Sequence, residues 1–321
     1  MIQSDILIPL NLTHSSYVTP NTTANGVIPT GNTTTAGWDQ DIGVDNPGGS
    51  AFMSTTDFVA VGRAILNSTL LHPAQTRRWL KPRIQTSSPG SSIGAPWEIR
   101  SLTINGTGRK IDYYTKSGDV GTYHAELVLV PDYQIGFTAL SAGVDSDASD
   151  IVIALTDIMG SVFVPAVEQA SREEAAESYA GTYIDDATNS SVTITTNSSR
   201  LGLGIEAFRS RGVMTLDLIA EAEGLPPGYT PRLYSTTLKT ISENRNGTYI
   251  SRTGWRAVYS PVTSTTDATS ALDGCLAWGA VGAPIYGQRT LDDFVFEMGE
   301  DGKAIAIEAR TWRLKMTRAS T

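Results

Sequence analysis

The sequence predicts an α+β protein, an antiparallel sheet with helices followed by an antiparallel β-barrel domain. Three observations carry this. Two helical patterns precede a run of alternating strands, and a third helix follows it. Beyond Tyr179 the chain becomes short strands and turns at nearly regular spacing, with no convincing helix. A length of 321 residues is enough to bury two cores, which places the division at residues 1–172 and 173–321.

Residues 20–37, PNTTANGVIPTGNTTTAG, lack periodicity and read as a glycan-bearing surface loop. Ser54 heads the helix STTDFVAVGRAILN. Asp57 stands three residues on, in place of the usual Glu of a capping box, and Phe58, Val61, Ile65 and Leu66 form its apolar stripe. PAQTRRWL, opened by Pro73, makes a short helix that stops before Pro82. WEIRSLTI and KIDYYTKS then flank Asn105-Gly106, and TYHAELVLV and QIGFTAL flank Pro131-Asp132, giving four antiparallel strands. The apolar stretch 151–167 is shorter than the ~20 residues a bilayer needs and holds Asp157 and Pro165, so no membrane span is expected. Ile151, Leu155, Ile158, Met159, Val162 and Phe163 repeat at helical spacing, which predicts a buried helix over 148–164. EQASREEAAES follows as a connector. After it come the strands SVTITT, LGLGIE, GVMTLDLI, RLYSTTL, TYIS, WRAVYS, DFVFEM, AIAIEA and TWRLKMT.

Composition narrows the function classes. A net charge of −9 argues against a nucleic-acid partner, because phosphate binding needs a basic face. Cys275 is the only cysteine, which excludes an internal disulfide or a multi-cysteine metal site. With only His14, His72 and His124, widely scattered, no metal and no organic cofactor are implied. Eight of the eleven asparagines head an Asn-x-Ser/Thr acceptor: Asn11, Asn21, Asn32, Asn67, Asn105, Asn189, Asn197 and Asn246. Chance would supply roughly two, so a secreted glycoprotein is expected. The opening MIQSDILIPLNLTHSSY has no signal-peptide pattern, and the expectation is that such a segment belongs to an upstream part.

Lys116-Ser117-Gly118, at the end of the second strand, is the stretch that carries chemistry. An ammonium there gives a positive potential that attracts a substrate carboxylate or lowers the pKa of a nucleophile. The hydroxyl donates to the same carboxylate, and the glycine lets an acyl chain lie against the strand. The next N–H, that of Asp119, can face a developing oxyanion. The triplet alone is a weak signal, and Lys116 also reads as a solvated strand-end lysine. A rival pattern, Gly90-Ser91-Ser92-Ile93-Gly94, matches the nucleophile elbow Gly-x-Ser-x-Gly, but it lies in a loop entering a strand rather than between a strand and a helix. His124 reads as a surface residue of the alternating strand.

The context of the triplet is more specific. Lys116-Ser117-Gly118-x-x-Gly121-x-Tyr123, then Leu127 to Asp132 and a strand to Leu140, resembles the Lys-Thr-Gly region of serine β-lactamase-like proteins: class C β-lactamases, penicillin-binding proteins and related esterases. Ile8–Tyr17, Asn46–Asn67 and Ser92–Ile99 resemble further segments of that family, in its order. Tyr179-Ala180-Gly181-Thr182-Tyr183 looks like the start of the lipocalin-like β-domain of its fungal secreted members. The resemblance implies a partial β-lactamase/transpeptidase-like domain, then the β-domain. It also implies a serine hydrolase that splits a small-molecule amide or ester through an acyl-enzyme. Lys116, Ser117, Gly118 and Asp119 would form one corner of its catalytic site.

The other two corners, Ser-x-x-Lys and Tyr-x-Asn, do not occur in the sequence. In the family both precede the segment that Ile8–Tyr17 resembles. The expectation is therefore a truncated chain that is inactive by itself and exposes apolar surface where the family's other helices would pack. A secreted, non-catalytic binding module that uses the β-domain stays open as the alternative.

Overall fold

The computed structural model describes residues 1–320 except 22, 89, 105–108, 145–147, 197–200, 223–230, 244–246, 248 and 260–277. The Asn105-Gly106 turn, the sequons at Asn105, Asn197 and Asn246, and Cys275 lie outside the described residues. The chain divides into two compact units at Glu168/Gln169.

The first unit is built around a six-stranded antiparallel sheet among the described residues. Its strands are β3 (Ile84–Gln85), β4 (Ser91–Ile93), β5 (Glu98–Thr103), β6 (Lys110–Val120), β7 (Tyr123–Val130) and β8 (Ile135–Ala142), which pair in that order. The sequence gives four of these. The two short ones, β3 and β4, extend the sheet at the β5 edge. Because side chains alternate across a strand, Leu127 and Leu129 face one side of the sheet while Val128 and Val130 face the other. All four are buried, so helices must cover both faces.

On the Leu127 side, Trp97, Ile99 and both leucines pack with Phe58, Ile65 and Leu66 of α3 (Thr55–Leu66) and with Trp79 of α4 (Pro73–Trp79). α3 starts where its sequence says. Ser54 Oγ accepts from the Asp57 N–H (3.2 Å). The Asp57 carboxylate does not close the reciprocal half of the box. It is buried and instead accepts from the His14 N–H (2.8 Å) and the Ser15 hydroxyl (2.7 Å), tying the N-terminal segment to the helix. There β1 (Ser15–Ser16) pairs with β2 (Phe52–Met53).

On the other face, Ile111, Tyr113, Val128, Val130 and Phe137 pack under Val164 of α5 (Ala148–Tyr179). The helix comes close because Gly160 faces Tyr113; a Cβ there would lie 3.2 Å from the ring. Two expectations are corrected here. First, α5 runs on through the stretch read as a connector, a segment of Ala, Glu, Gln and Arg whose helix propensity is high. Second, the buried face is Ala148, Val152, Thr156, Gly160, Val164 and Glu168, not the stripe predicted from large apolar side chains. Ile151, Leu155, Ile158, Val162 and Phe163 point outward, Ile158 at 60% exposure. Small residues let the helix seat on the aromatic rings, so the bulky ones are turned to the outside. By length and composition α5 could cross a bilayer, so shortness no longer argues against a span. What does is Asp157 and the face seated on Tyr113 and Phe137.

The segment read as a featureless loop is partly ordered by contact. Asn32 caps α1 (Thr33–Ala36) by accepting from the Thr35 N–H (2.9 Å), and Ala36 is fully buried. α2 (Asn46–Gly49) lies beyond it, close to β6.

The second unit is a closed barrel. Its strands are β9 (Gly181–Asp185), β10 (Ser190–Thr195), β11 (Leu203–Ser210), β12 (Val213–Met214), β13 (Arg232–Glu243), β14 (Tyr249–Val258), β17 (Asp293–Met298), β18 (Ala304–Ala309) and β19 (Leu314–Arg318). They pair in the order β10-β9-β19-β18-β17-β14-β13-β11-β12, and the additional pairing of β10 with β11 closes the ring, leaving β12 as an appendage. Closure gives each ring strand a partner on both sides, although beyond Leu233 β13 is paired with β14 alone. A small hairpin, β15 (Ile285–Tyr286) with β16 (Arg289–Thr290), stands apart. The inward side chains fill the barrel: Tyr183, Ile205, Phe208, Leu233, Phe294 and Phe296 are among those fully buried. GVMTLDLI, expected as a strand, is only two residues of strand followed by α6 (Thr215–Ala222). Arg318 closes the unit. Its guanidinium donates to the carbonyls of Glu177 (3.1 Å), Ser178 (3.4 Å) and Ala180 (2.5 Å), capping the end of α5 with the last strand.

Candidate functional site

β6 outlasts its neighbour. Glu98, the first residue of β5, pairs with Thr115, so Lys116 to Val120 are paired only with β7, from Lys116↔Leu127 to Val120↔Tyr123. On one side of that stretch no strand is paired among the described residues, and Lys116, Ser117, Gly118 and Asp119 all lie along this edge.

The edge is occupied from within. The Glu98 carboxylate bends across the end of β5 and accepts three hydrogen bonds from the triplet. Lys116 Nζ (2.7 Å) and Ser117 Oγ (3.0 Å) donate to Oε1, and the Ser117 N–H (3.2 Å) donates to Oε2. Lys116 Nζ also donates to the Ser117 carbonyl (2.8 Å). Partial burial opposes ionisation of Glu98, but the Lys116 bond and charge and the two Ser117 bonds outweigh it and hold the carboxyl below its usual range. Both partners of the ion pair keep more than a third of their side-chain surface in solvent.

Antiparallel alternation gives the Asp119 N–H the same outward direction as that of Ser117. The Asp119 side chain pairs with His124 Nδ1 (2.5 Å), directly opposite on β7, so His124 is not a free surface residue. Above Gly118 the space is open, with no atom within 4 Å of a Cβ built there. Across β6 from Ser117 lies Glu126, buried, whose carboxyl is pushed up by desolvation despite the opposing charge of Arg100. The end of β6 thus meets two carboxylates with opposed tendencies, Glu98 on its β5 side kept ionised and Glu126 on β7 disfavoured as an ion.

The turn beyond Asp119 is held by the 26–52 segment. Thr122 donates its N–H (3.1 Å) and hydroxyl (2.9 Å) to the Ala36 carbonyl, and the Tyr123 hydroxyl donates to the Val27 carbonyl (2.9 Å). Gly121 has φ +60°, and a Cβ there would sit 2.6 Å from the Ala36 oxygen. Gly121→Ala is therefore expected to cost about 1–3 kcal/mol, from the left-handed backbone and the contact together. Gly118→Ala, placed in open space, should stay within about 0.5 kcal/mol of the parent. Thermal melts of the two variants make the comparison.

Glu98 is the residue that reading the sequence misses. The signal was present: counting the β5–β6 hairpin back from Thr103↔Lys110 brings Glu98 level with Thr115, one step from the triplet. Upstream, Trp97 is buried against Trp79 and Tyr114 and fixes where β5 begins. The rival elbow does not form. Ser92 is a buried residue within β4, paired with Ile99. Asn11, Asn21, Asn32, Asn67 and Asn189 are exposed. A separate polar hollow of about 330 Å³ lies outside the barrel, lined by residues including Asp185, Asp186, Asn189 and Arg209. Among the described residues no cluster of His, Cys, Asp and Glu could hold a metal ion.

Fold and edge together define a class: a helix-covered antiparallel sheet with a lysine-serine-glycine rim, followed by a closed β-barrel. Residues 171–320 match the family described as "Beta-lactamase-like-like, C-terminal domain". Over 96% of its length the chain is 28% identical to a "Beta-lactamase-like protein" of Arthroderma benhamiae, covering 55% of that protein. Over 68% it is 26% identical to a "Probable hydrolase clz13" of Cochliobolus lunatus, covering 34% of it. The chain therefore spans about half the length, or less, of these relatives. Among solved structures, a penicillin-binding protein homologue from Pyrococcus abyssi aligns with a TM-score of 0.36 and 14% identity, over 81% of this chain and 58% of that one. The chain is related to the β-lactamase-like proteins.

Proposed function

We propose that this chain supplies the cationic-strand wall of a serine acyl-transfer site that hydrolyses a small-molecule amide or ester, with the attacking serine not among its 321 residues. The observation that carries the reading is the edge of β6 beyond Thr115. There Lys116, Ser117, the Asp119 N–H and the open space over Gly118 are lined up along one strand that has no strand paired on that side among the described residues, with only the Glu98 side chain reaching across to Lys116 and Ser117. The hydrolase names of the relatives support it. In this reading Lys116 and Ser117, both engaged by Glu98, form the cationic corner that tunes the nucleophile, and the Asp119 N–H is a donor to the oxyanion. The exposed sequon asparagines support a secreted chain in the same reading.

Incubated with a chromogenic β-lactam and a p-nitrophenyl ester, the purified chain is expected to show no turnover above buffer. Hydrolysis that Lys116→Ala abolishes would place the attacking group inside the chain. Hydrolysis that survives Lys116→Ala would move the chemistry away from β6 altogether. The second reading, a non-catalytic binding module, is favoured by the polar hollow on the barrel, and ligand binding that Arg209→Ala removes and Lys116→Ala spares would select it.

A further inference from the structure

The donors on β6 that a ligand carboxylate would use are already engaged, and by a carboxylate. Glu98 takes the Lys116 ammonium, the Ser117 hydroxyl and the Ser117 N–H at once. An ordinary surface ion pair joins two mobile side chains. Here the carboxylate is anchored at both ends. Its own backbone is fixed by the pairing of Glu98 with Thr115, by the Thr115 hydroxyl donating to the Glu98 carbonyl (2.8 Å), and by the buried Trp97 before it. Its head is held by a main-chain N–H that has no freedom to turn away.

We propose that Glu98 is a built-in occupant of the carboxylate seat on β6, and so a specificity-determining residue: the site takes uncharged esters or amides and refuses substrates that carry their own carboxylate. The proposal rests on the acyl-transfer reading of β6 and names its substrate class. Charge bookkeeping supports it. Glu98 cancels Lys116, so an incoming anion would meet no net positive charge at the triplet except what Arg100 supplies from β5. An uncharged carbonyl compound loses nothing by this, since the Asp119 N–H and the space over Gly118 remain available to it.

The test uses the whole chain, isotopically labelled, and follows the amide resonances of Ser117 and Asp119 during titration with phenylacetate and with its uncharged counterpart phenylacetamide. Glu98→Gln keeps an acceptor for Ser117 while removing the charge, and Glu98→Ala empties the seat. Both variants are expected to bind phenylacetate at least about tenfold more tightly than the parent, with phenylacetamide changing less than about twofold. Lys116→Ala added to Glu98→Gln should cancel the gain. Equal phenylacetate binding by parent and variants would overturn the proposal, and so would variants that keep the parent's spectrum elsewhere yet gain nothing. In those cases Glu98 merely covers an open strand edge. Because the readout is binding, it is decided whether or not the chain hydrolyses an ester, so this inference and the acyl-transfer reading fail separately.

Discussion

Replacing Phe296 by alanine is expected to destabilise the barrel by about 3–5 kcal/mol, the range for emptying a buried aromatic site. Phe296 is fully buried on β17, with ring centroids of Tyr179, Trp255 and Tyr183 at 5.1, 5.6 and 5.9 Å in edge-on or near edge-on arrangements. The neighbours come from the end of α5 and the adjoining β9 on one hand and from β14, distant in sequence, on the other, so the cavity cannot be closed by moving one loop. The measurement is amide hydrogen exchange in β14 and β17, where protection should fall by the full cost. A loss under about 1 kcal/mol would mean the barrel interior repacks freely, contrary to a core of interlocked rings.

The second large effect is expected in the other unit. Trp97→Ala should cost about 3–5 kcal/mol in the sheet, since Trp97 is nearly fully buried between Trp79 and Tyr114. Trp97→Phe should cost much less. The indole Nε1 of Trp97 is buried and has no hydrogen-bond partner among the described residues, so removing it sacrifices volume but no polar bond there. Urea unfolding of the two variants distinguishes the cases, and equal costs would show that the indole nitrogen has a partner after all. The alanine variant has a local consequence as well. Glu98 follows directly, so losing its anchor should loosen the Glu98–Lys116 pair and broaden the Ser117 amide signal.

How much of this was legible in the sequence depended on whether the deciding contact was local. The β5 to β8 meander could be read because its strands are apolar runs or alternations bounded by turn residues, and each turn lies between strands adjacent in sequence. DFVFEM and AIAIEA announced β17 and β18 for the same reason. α6 was misread since Leu216 and Leu218 alternate over a stretch too short to separate a period of two from one of 3.6. The face of α5 was misassigned because periodicity reports that large apolar residues share a side, not what that side meets. Gly160 and Thr156 decide it by letting the helix approach Tyr113 and Phe137. At the site, Lys116 to Asp119 stood out as a motif, whereas Glu98 became visible only through the pairing of one hairpin.

The position of β19 in the ring has a consequence for synthesis. β9, the first barrel strand to leave the ribosome, is flanked by β10 on one side and by β19 on the other. Nascent β9 must therefore wait until β19 has been made before its second ladder can form. The meander of the first unit needs only neighbours already made, so it can collapse earlier, and closure of the barrel becomes the slower step of maturation.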